Sequence, residues 1–315
     1  MKELVVVISD GPMGSTTIAS IFGNYNYLTF PIRHLSINKY LSGEYSLDNP
    51  YFEKRIKEIV EVFVKPRETG GRGITDREMI ILFDSKLKDE IKELESKKFK
   101  NFLEKYVYIY ELFNKHCLYK EKLINYNGIV ELTTDIHKYD AKEIQKKYIK
   151  EFKVVKFISL NRNFKNWLNS ILSMRFNKKI FKTNYFIIRL SSQIRRYKNY
   201  NKFINKLENN IIISFEDIFK QKFIDNFVAD LNLEKKNFKD LKFDHYGKLL
   251  NFDETFGAAI DDQYYYISKL SFKIIDYAEK FYENKILRFF FDIIFQIIYI
   301  KDFIYYIIKK KPKKR

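Results

Sequence analysis

Cysteine, proline and glycine are all scarce in this sequence. Its 315 residues include one cysteine, Cys117, five prolines and ten glycines. A single cysteine excludes an internal disulfide framework. No proline- or serine-rich stretch marks a linker and no internal repeat is visible, so a single domain is the simpler prediction. No cluster of histidine and cysteine has the spacing of a metal site, and we expect no metal.

Long uninterrupted apolar runs are also missing. The first apolar run begins at Leu4, and Asp10 and Gly11 end it too soon for a signal peptide. Residues 286–308 are rich in Ile, Phe and Tyr but contain charges, which argues against a bilayer span. We therefore expect a cytoplasmic protein.

Positive charge is in excess, with 58 Lys and Arg against 40 Asp and Glu and a net charge of +18. This balance favours anionic partners such as nucleotides, acidic glycans, lipid head groups and nucleic acid. Compositional bias is an alternative explanation, because the chain is also heavy in Asn, Ile, Tyr and Phe. No nucleic-acid-binding motif is recognisable, so nucleic acid is the partner that we expect least.

Residues 4–24, LVVVISDGPMGSTTIASIFGN, combine a strand, a glycine loop and the start of a helix. The β-branched run that ends at Ser9 predicts a strand buried on both faces, as in the centre of a parallel sheet. Gly11 and Gly14 interrupt the strand, and the hydroxyl residues after them are typical of a helix start. This order aims backbone N–H groups and a positive helix end at one place, which suits a phosphate.

Neither common nucleotide motif is complete in this loop. No lysine precedes the hydroxyl residues, so the Walker A pattern of ATP and GTP sites fails. The two glycines are too few for the dinucleotide pattern G-x-G-x-x-G. A strand-to-helix turn that binds nothing is the other interpretation, and the loop alone leaves both open.

Strands alternate with helices along the chain, which predicts βαβ units and a parallel sheet. The later strands are predicted over 27–30, 128–135, 154–160 and 210–214, and the helices over 50–64, 86–117 (one long or broken helix), 141–150, 164–176, 185–207, 220–231 and 286–308. Loops at the carboxyl ends of parallel strands face the ligand crevice, so polar residues at those ends are candidate site residues.

Three motifs, in order along the chain, resemble the sulfotransferases that use PAPS (3′-phosphoadenosine-5′-phosphosulfate). GPMGSTT at 11–17 is similar to the family's 5′-phosphosulfate loop, P-[KR]-[ST]-G-[ST]-T. FISLNRNFKNWLNSIL at 157–172 resembles its 3′-phosphate element, and IISFEDI at 212–218 resembles its Y-E-D-L turn. The resemblance implies an α/β, P-loop NTPase-like sulfotransferase fold over residues 1–285, with a parallel central sheet flanked by helices.

The resemblance also assigns roles to individual residues. The loop would hold the 5′-phosphosulfate of PAPS, while the guanidinium of Arg162 and the hydroxyl of Ser170 would hold the 3′-phosphate. No metal is implied. The implied nucleotide-binding residues are Gly11, Met13, Gly14, Ser15, Thr16, Thr17, Arg162 and Ser170.

Two cations of the family pattern are replaced in this sequence. Pro12 stands where the loop has Lys or Arg, and Leu132 stands where a strand-end Lys is usual. Sulfuryl transfer spreads negative charge over oxygens and gains from nearby cations, so another cation must substitute. The candidates are Arg33, Arg72, His137 and Lys138.

The acceptor hydroxyl must also lose a proton, which requires a general base. His137, Glu131 and Asp135 lie near the end of one predicted strand and are the main candidates, with His34 as a further one. A histidine in a loop is also commonly a surface residue without a catalytic role.

Residues 286–315 are predicted as an amphipathic helix followed by a polybasic tail. Arg288, Asp292 and Gln296 recur every four residues and share one helical face. The six cations of 309–315 would each add roughly 1 kcal/mol at an anionic leaflet. A helix lying in the plane of a membrane and a helix packed on the domain both fit this pattern.

The sequence therefore predicts a sulfotransferase that moves a sulfuryl group from PAPS to a hydroxyl or amine of a carbohydrate or lipid-linked acceptor. It would work in the cytoplasm, with a possible anionic membrane surface as a further partner. The alternative is a catalytically weak nucleotide-binding or membrane-surface interaction protein of this fold, because two usual cations are missing.

Overall fold

The computed structural model describes most of the chain. The described residues are 3–11, 13–30, 37–44, 50–68, 79–134, 136–152, 154–177, 189–218, 220–244, 247–251, 264–265, 268–309 and 313–314.

A five-stranded parallel sheet forms the centre of the fold. The strands of the described residues, in this sheet and outside it, are β1 (Glu3–Ile8), β2 (Tyr27–Leu28), β3 (Arg67–Glu68), β4 (Met79–Ile80), β5 (Gly128–Thr133), β6 (Val155–Asn161), β7 (Asn210–Ser214), β8 (Phe243–Asp244), β9 (Leu249–Leu250), β10 (Tyr264–Tyr265) and β11 (Lys313–Lys314). The central sheet has the order β2-β5-β1-β6-β7, and the other strands form three short antiparallel pairs. The predicted α/β class with a parallel central sheet is confirmed.

Helices connect and cover these strands. They are α1 (Ser15–Gly23), α2 (Ile37–Leu41), α3 (Pro50–Phe63), α4 (Leu87–Lys92), α5 (Phe102–His116), α6 (Ala141–Phe152), α7 (Phe164–Asn177), α8 (Leu190–Ile204), α9 (Gln221–Asp230), α10 (Lys269–Lys280) and α11 (Lys285–Lys309). The predicted helix over 86–117 is the broken form: α4 ends at Lys92, and Asn101 caps a new helix, α5, by accepting the Glu104 N–H at 2.9 Å.

β1 lies at the middle of the sheet, as its apolar sequence predicts. Val6 pairs in register with Glu131 of β5 on one side and with Phe157 of β6 on the other. Every residue of β1 after Glu3 is buried. Helix α1 covers the face to which Leu132 points, and α5 covers the opposite face beneath Glu131.

The strand order creates a crevice between β1 and β6. From β1 the chain moves to β2 on one side of the sheet, whereas from β6 it moves to β7 on the other side. Connections that leave neighbouring strands in opposite directions open a ligand crevice at the carboxyl ends of those strands. The glycine loop follows β1 and Arg162 follows β6, so both flank this crevice.

Helix α11 packs against the rest of the fold through its acidic residues. The Asp292 carboxylate accepts the Ser191 N–H at 2.7 Å and its hydroxyl at 2.5 Å, at the start of α8. The Asp302 carboxylate accepts the Ser268 N–H at 2.7 Å, at the start of α10. The helix begins at Lys285, one residue before the predicted boundary, and this part of the polar stripe faces the protein.

Among the helices that the structure describes, none combines the length and the apolar character needed to cross a bilayer.

Candidate functional site

The glycine loop after β1 leads directly into α1. Gly11 and Gly14 have φ angles of 78° and 84°, which side chains disfavour. Gly14 is the residue before α1, and its carbonyl accepts the Thr17 N–H at 3.0 Å. The first turn of α1 contains no acidic residue. The loop therefore presents a helix N-terminus on which an anion meets no like charge within that turn.

The side chains of the loop differ in what they offer a ligand. Met13 and Ser15 are buried, so Met13 can contribute to binding only through its backbone. Thr16 and Thr17 are half-buried and keep accessible surface at the start of α1. Main-chain N–H groups and threonine hydroxyls are therefore the groups that suit a phosphate here.

Asp10 fixes the start of this loop from beneath. Its carboxylate is fully buried, and the Arg196 Nε of α8 lies 2.9 and 3.0 Å from the two carboxylate oxygens, with Nη2 bonded as well. The indole N–H of Trp167 donates to the Asp10 carbonyl. Two helices thus anchor the residue that precedes Gly11, and the ion pair satisfies a carboxylate that would otherwise be costly to bury.

Phe215 brings the loop and Arg162 together. The Arg162 guanidinium carbon lies 4.0 Å from the centre of the Phe215 ring. A Cβ built on Gly14 would lie 3.0 Å from an atom of the same ring. The Arg162 carbonyl accepts the Tyr197 hydroxyl at 2.6 Å, which positions the arginine at the end of β6. Gly14 and Arg162 therefore lie at the same edge of the sheet.

The acidic turn after β7 lies beside this arginine. The Glu216 carboxylate accepts the Ser214 hydroxyl at 2.8 Å and the Asn166 amide at 3.2 Å. Burial would raise the pKa of Glu216, but these hydrogen bonds and the charge of Arg162 hold it below its usual range. Ser170 is buried on α7, one turn after Asn166.

Tyr200 joins the ends of the two strands that flank the crevice. Its hydroxyl donates to the Ile8 carbonyl at 3.1 Å and to the Leu160 carbonyl at 2.5 Å. His137, in the short 3-10 turn after β5, packs edge-on against the Tyr200 ring with centroids 6.0 Å apart. The structure therefore places His137 at the same sheet edge as the glycine loop.

Glu131 lies elsewhere, in the middle of β5 and buried beneath α5. Its carboxylate accepts the Tyr106 hydroxyl, and the Tyr110 hydroxyl lies 3.5 Å away. Burial raises the pKa of Glu131 to about 7, although both tyrosine hydrogen bonds act in the opposite direction. Because it points away from α1 and is 2% exposed, Glu131 is not placed to meet an acceptor hydroxyl at the loop.

Leu132 points toward α1, into a small cavity beside the glycine loop. The cavity is lined by Thr16, Ala19, Ser20, Thr29, Phe30, Leu132 and Asp244. Lys120 bonds to two of these residues, since its Nζ lies 2.8 Å from the Thr29 carbonyl and 2.6 Å from the Asp244 carboxylate. A lysine from another part of the chain thus lies next to the position where the family pattern has its strand-end lysine.

Several predicted residues lie outside the described part of the chain. These are Pro12, Arg33, His34, Arg72 and Asp135. Lys138 is described and exposed in the turn that carries His137. Among the described residues, no three or more His, Cys, Asp or Glu side chains are grouped to hold a metal ion.

Sequence reasoning missed Arg196 and Lys120. The only signal for Arg196 is indirect: Asp10 ends a buried strand and needs a cation, and the helix over 185–207 is basic. Lys120 lies in a loop with no pattern of its own.

We expect Arg196→Gln to lower the free energy of unfolding by about 3 kcal/mol, because it leaves the buried Asp10 carboxylate without its cation. The Asp10→Asn and Arg196→Gln double variant should recover much of that loss. Arg195→Gln, on the adjacent exposed position of α8, is the matched control and should cost less than about 1 kcal/mol. Urea unfolding measures all four proteins, and equal losses for Arg195→Gln and Arg196→Gln would contradict the assignment.

Glu131 should make stability depend on pH in a defined direction. Its pKa is about 7 in the fold against an ordinary value of 4.5, so the folded state binds the proton more tightly. The resulting penalty is absent below pH 4.5, grows as pH rises to about 7, and then stays near about 3 kcal/mol. Glu131→Gln should remove it, and the difference in unfolding free energy from wild type should grow over that window. A difference that stays constant with pH would contradict this.

The chain is similar to two solved sulfotransferase structures. One is a sulfotransferase domain from the curacin biosynthetic pathway, with 15% identity, a TM-score of 0.45, and coverage of 81% of this chain and 83% of that one. The other is a sulfotransferase domain from the Synechococcus PCC 7002 olefin synthase, with 11% identity, a TM-score of 0.44, and coverage of 81% and 88%. No protein-family model and no curated protein matched the sequence. Since one fold hosts many activities, function is argued below from the residues.

Proposed function

We propose that this protein transfers a sulfuryl group from PAPS to a hydroxyl or amine acceptor. The observation that carries the proposal is that the Arg162 guanidinium and the Gly14 backbone both lie against the Phe215 ring. An anion-binding loop and an arginine are thereby held at one sheet edge. A nucleotide that carries phosphates on both the 3′ and the 5′ positions of its ribose could bind the loop with one phosphate and the arginine with the other.

The two ends of the site suit the two ends of the nucleotide. The start of α1, with Thr16 and Thr17, would bind the 5′-phosphosulfate through N–H and hydroxyl donors. Arg162 would bind the 3′-phosphate with its fork of donors. The close approach of Gly14 to Phe215 leaves no room for a side chain there, which keeps the loop near the arginine.

When bound, PAPS supplies a sulfuryl group whose S–O bond to the 5′-phosphate breaks as the acceptor oxygen or nitrogen bonds to sulfur. Residues of this chain would stabilise the negative charge of the transferring oxygens. Lys120 lies by the cavity that Thr16 and Leu132 line, and Arg196 lies by the other end of the loop. We propose Lys120 as the cation that substitutes at the position of Leu132.

His137 is the proposed general base. It lies at the sheet edge beside Tyr200, whose hydroxyl spans the ends of β1 and β6. From there its imidazole would accept the proton that the acceptor group loses. The acceptor class, a carbohydrate or a lipid-linked substrate, rests on the family resemblance and on the amphipathic C-terminal helix.

One observation favours the alternative of a nucleotide-binding protein with little catalysis. Leu132 occupies the position of a usual cation, and Lys120 and Arg196 are each ion-paired to a carboxylate, Asp244 and Asp10. Such cations neutralise developing charge less well than unpaired ones. The two experiments below separate binding from turnover and so decide between these functions.

Adenosine 3′,5′-bisphosphate should bind the wild-type protein in a calorimetric titration, and Arg162→Gln should weaken binding about 10- to 100-fold through loss of charged hydrogen bonds. Arg55→Gln, at an exposed arginine of α3 paired only locally with Glu58, is the matched control and should bind like wild type. Absence of heat from the wild type, or equal affinities for all three proteins, would count against the site.

His137→Gln should lower turnover about 100-fold or more while leaving bisphosphate affinity unchanged. Turnover is followed as release of adenosine 3′,5′-bisphosphate from PAPS in the presence of pooled carbohydrate and lipid acceptors. A fully active variant would remove His137 from this role. A wild type that binds the nucleotide but shows no turnover with any acceptor would favour the non-catalytic alternative.

A further inference from the structure

Helix α11 differs from an ordinary amphipathic surface helix, because its acidic residues face the protein and many of its large apolar residues face outward. Its inward face holds Asp292, Phe295, Tyr299 and Asp302, at spacings of three and four residues. Phe295 and Tyr299 are buried, and the two carboxylates accept hydrogen bonds from the first residues of α8 and α10. The two acidic residues of the described helix surface are thus used for packing within the protein.

The outward face of α11 is an apolar surface interrupted at Lys301, which we call the α11 stripe. Ile286 is 69% exposed and Ile297 is 64% exposed. The stripe consists of Ile286, Phe289, Phe290, Ile293, Ile294, Ile297, Ile300, Ile304 and Tyr305. It extends for about 29 Å along the helix axis. Soluble proteins seldom leave aliphatic and aromatic surface of this length uncovered, so the stripe marks an interaction surface.

The fully exposed charged residues of α11 are positive. Lys285 and Lys301 are exposed on α11, whereas both acidic residues of its 285–305 part are taken up in packing. On the neighbouring helix α10 and the turn after it, Asp276 lies 2.5 Å from Lys165 and Glu283 lies 3.5 Å from Lys198.

A basic segment follows α11 in the sequence. Its residues 310–315 are KKPKKR. The backbone of Lys313–Lys314 pairs with Tyr264–Tyr265, which ties this segment to the body of the protein. The sequence therefore adds cations directly after the helix that carries the stripe.

We propose that the α11 stripe lies in the interface of an anionic lipid bilayer, with α11 parallel to the membrane plane. Apolar side chains would enter the acyl boundary, and the lysines would meet anionic head groups. A second copy of the chain is the less suitable occupant. Each copy has exposed lysines on this helix and a net charge of +18, so two copies would repel each other. This proposal goes beyond sulfuryl transfer and does not rest on it.

Vesicle co-sedimentation of the full chain tests the proposal, without nucleotide present. The wild type should sediment with vesicles of phosphatidylcholine containing about 30% phosphatidylserine and much less with phosphatidylcholine alone. Binding should also weaken as salt is raised. Deleting α11 would remove the caps of α8 and α10, so point substitutions on the exposed face give the cleaner comparison.

The test variant is Ile293→Glu with Ile297→Glu, and its apparent affinity for the anionic vesicles should fall at least about tenfold. The matched control is Val62→Glu with Ile124→Glu, at exposed apolar positions far along the chain from α11, and it should bind like wild type. Circular dichroism checks that both variants fold.

Two results would overturn the proposal. The first concerns vesicle binding: either the folded wild type binds neither kind of vesicle, or the test variant binds the anionic vesicles as tightly as the wild type does. The second is a wild-type dimer in light scattering that the test variant converts to a monomer, together with no vesicle binding, because a second copy would then cover the stripe. Arg162→Gln should leave vesicle binding unchanged, which separates this outcome from any failure of the nucleotide site.

Discussion

A single aromatic ring contacts both ends of the proposed site, the glycine loop and Arg162. Phe215 follows β7, and its backbone N–H donates to the Asn161 carbonyl of β6 at 2.7 Å. Its ring is close to both the Gly14 backbone and the Arg162 guanidinium. The spacing of the site therefore depends on the pairing of β6 with β7, and any ligand that uses both ends must fit around this ring.

Two buried carboxylates hold the cations of the site in place. Asp10 binds Arg196 under the glycine loop, and Asp244 binds Lys120 beside the cavity near Leu132. Each carboxylate neutralises the cation that it binds. The pairing therefore reduces the repulsion between the two cations and offsets the free-energy cost of burying them without a ligand. Helix α8 also connects two regions of the protein, since it carries Arg196 at the site and is capped by Asp292 of α11.

Local sequence patterns predicted much of this structure. Apolar and β-branched runs, some with polar residues in them, marked all five strands of the sheet, and the glycine loop and Arg162 were found at strand ends. The pairing of Asp10 with Arg196 could not be predicted, because it joins residues 186 positions apart and no local period encodes it. Strand alternation does show that Glu131 and Leu132 point to opposite faces, so only one of them could face the loop.

The polarity of α11 shows why an amphipathic pattern has two interpretations. The spacing of Arg288, Asp292 and Gln296 defined a polar face but did not say which face packs. Asp292 and Asp302 pack inward because they cap other helices, which requires knowing where the starts of α8 and α10 lie. The apolar face is therefore exposed in the structure, whereas the sequence pattern fitted an exposed and a packed apolar face equally well.

A crystal structure of the protein soaked with adenosine 3′,5′-bisphosphate tests the site most directly. We expect the 5′-phosphate to lie against the N–H groups at the start of α1 and the 3′-phosphate to lie against the Arg162 guanidinium. A nucleotide bound with both phosphates away from Arg162, or at another edge of the sheet, would contradict the central claim.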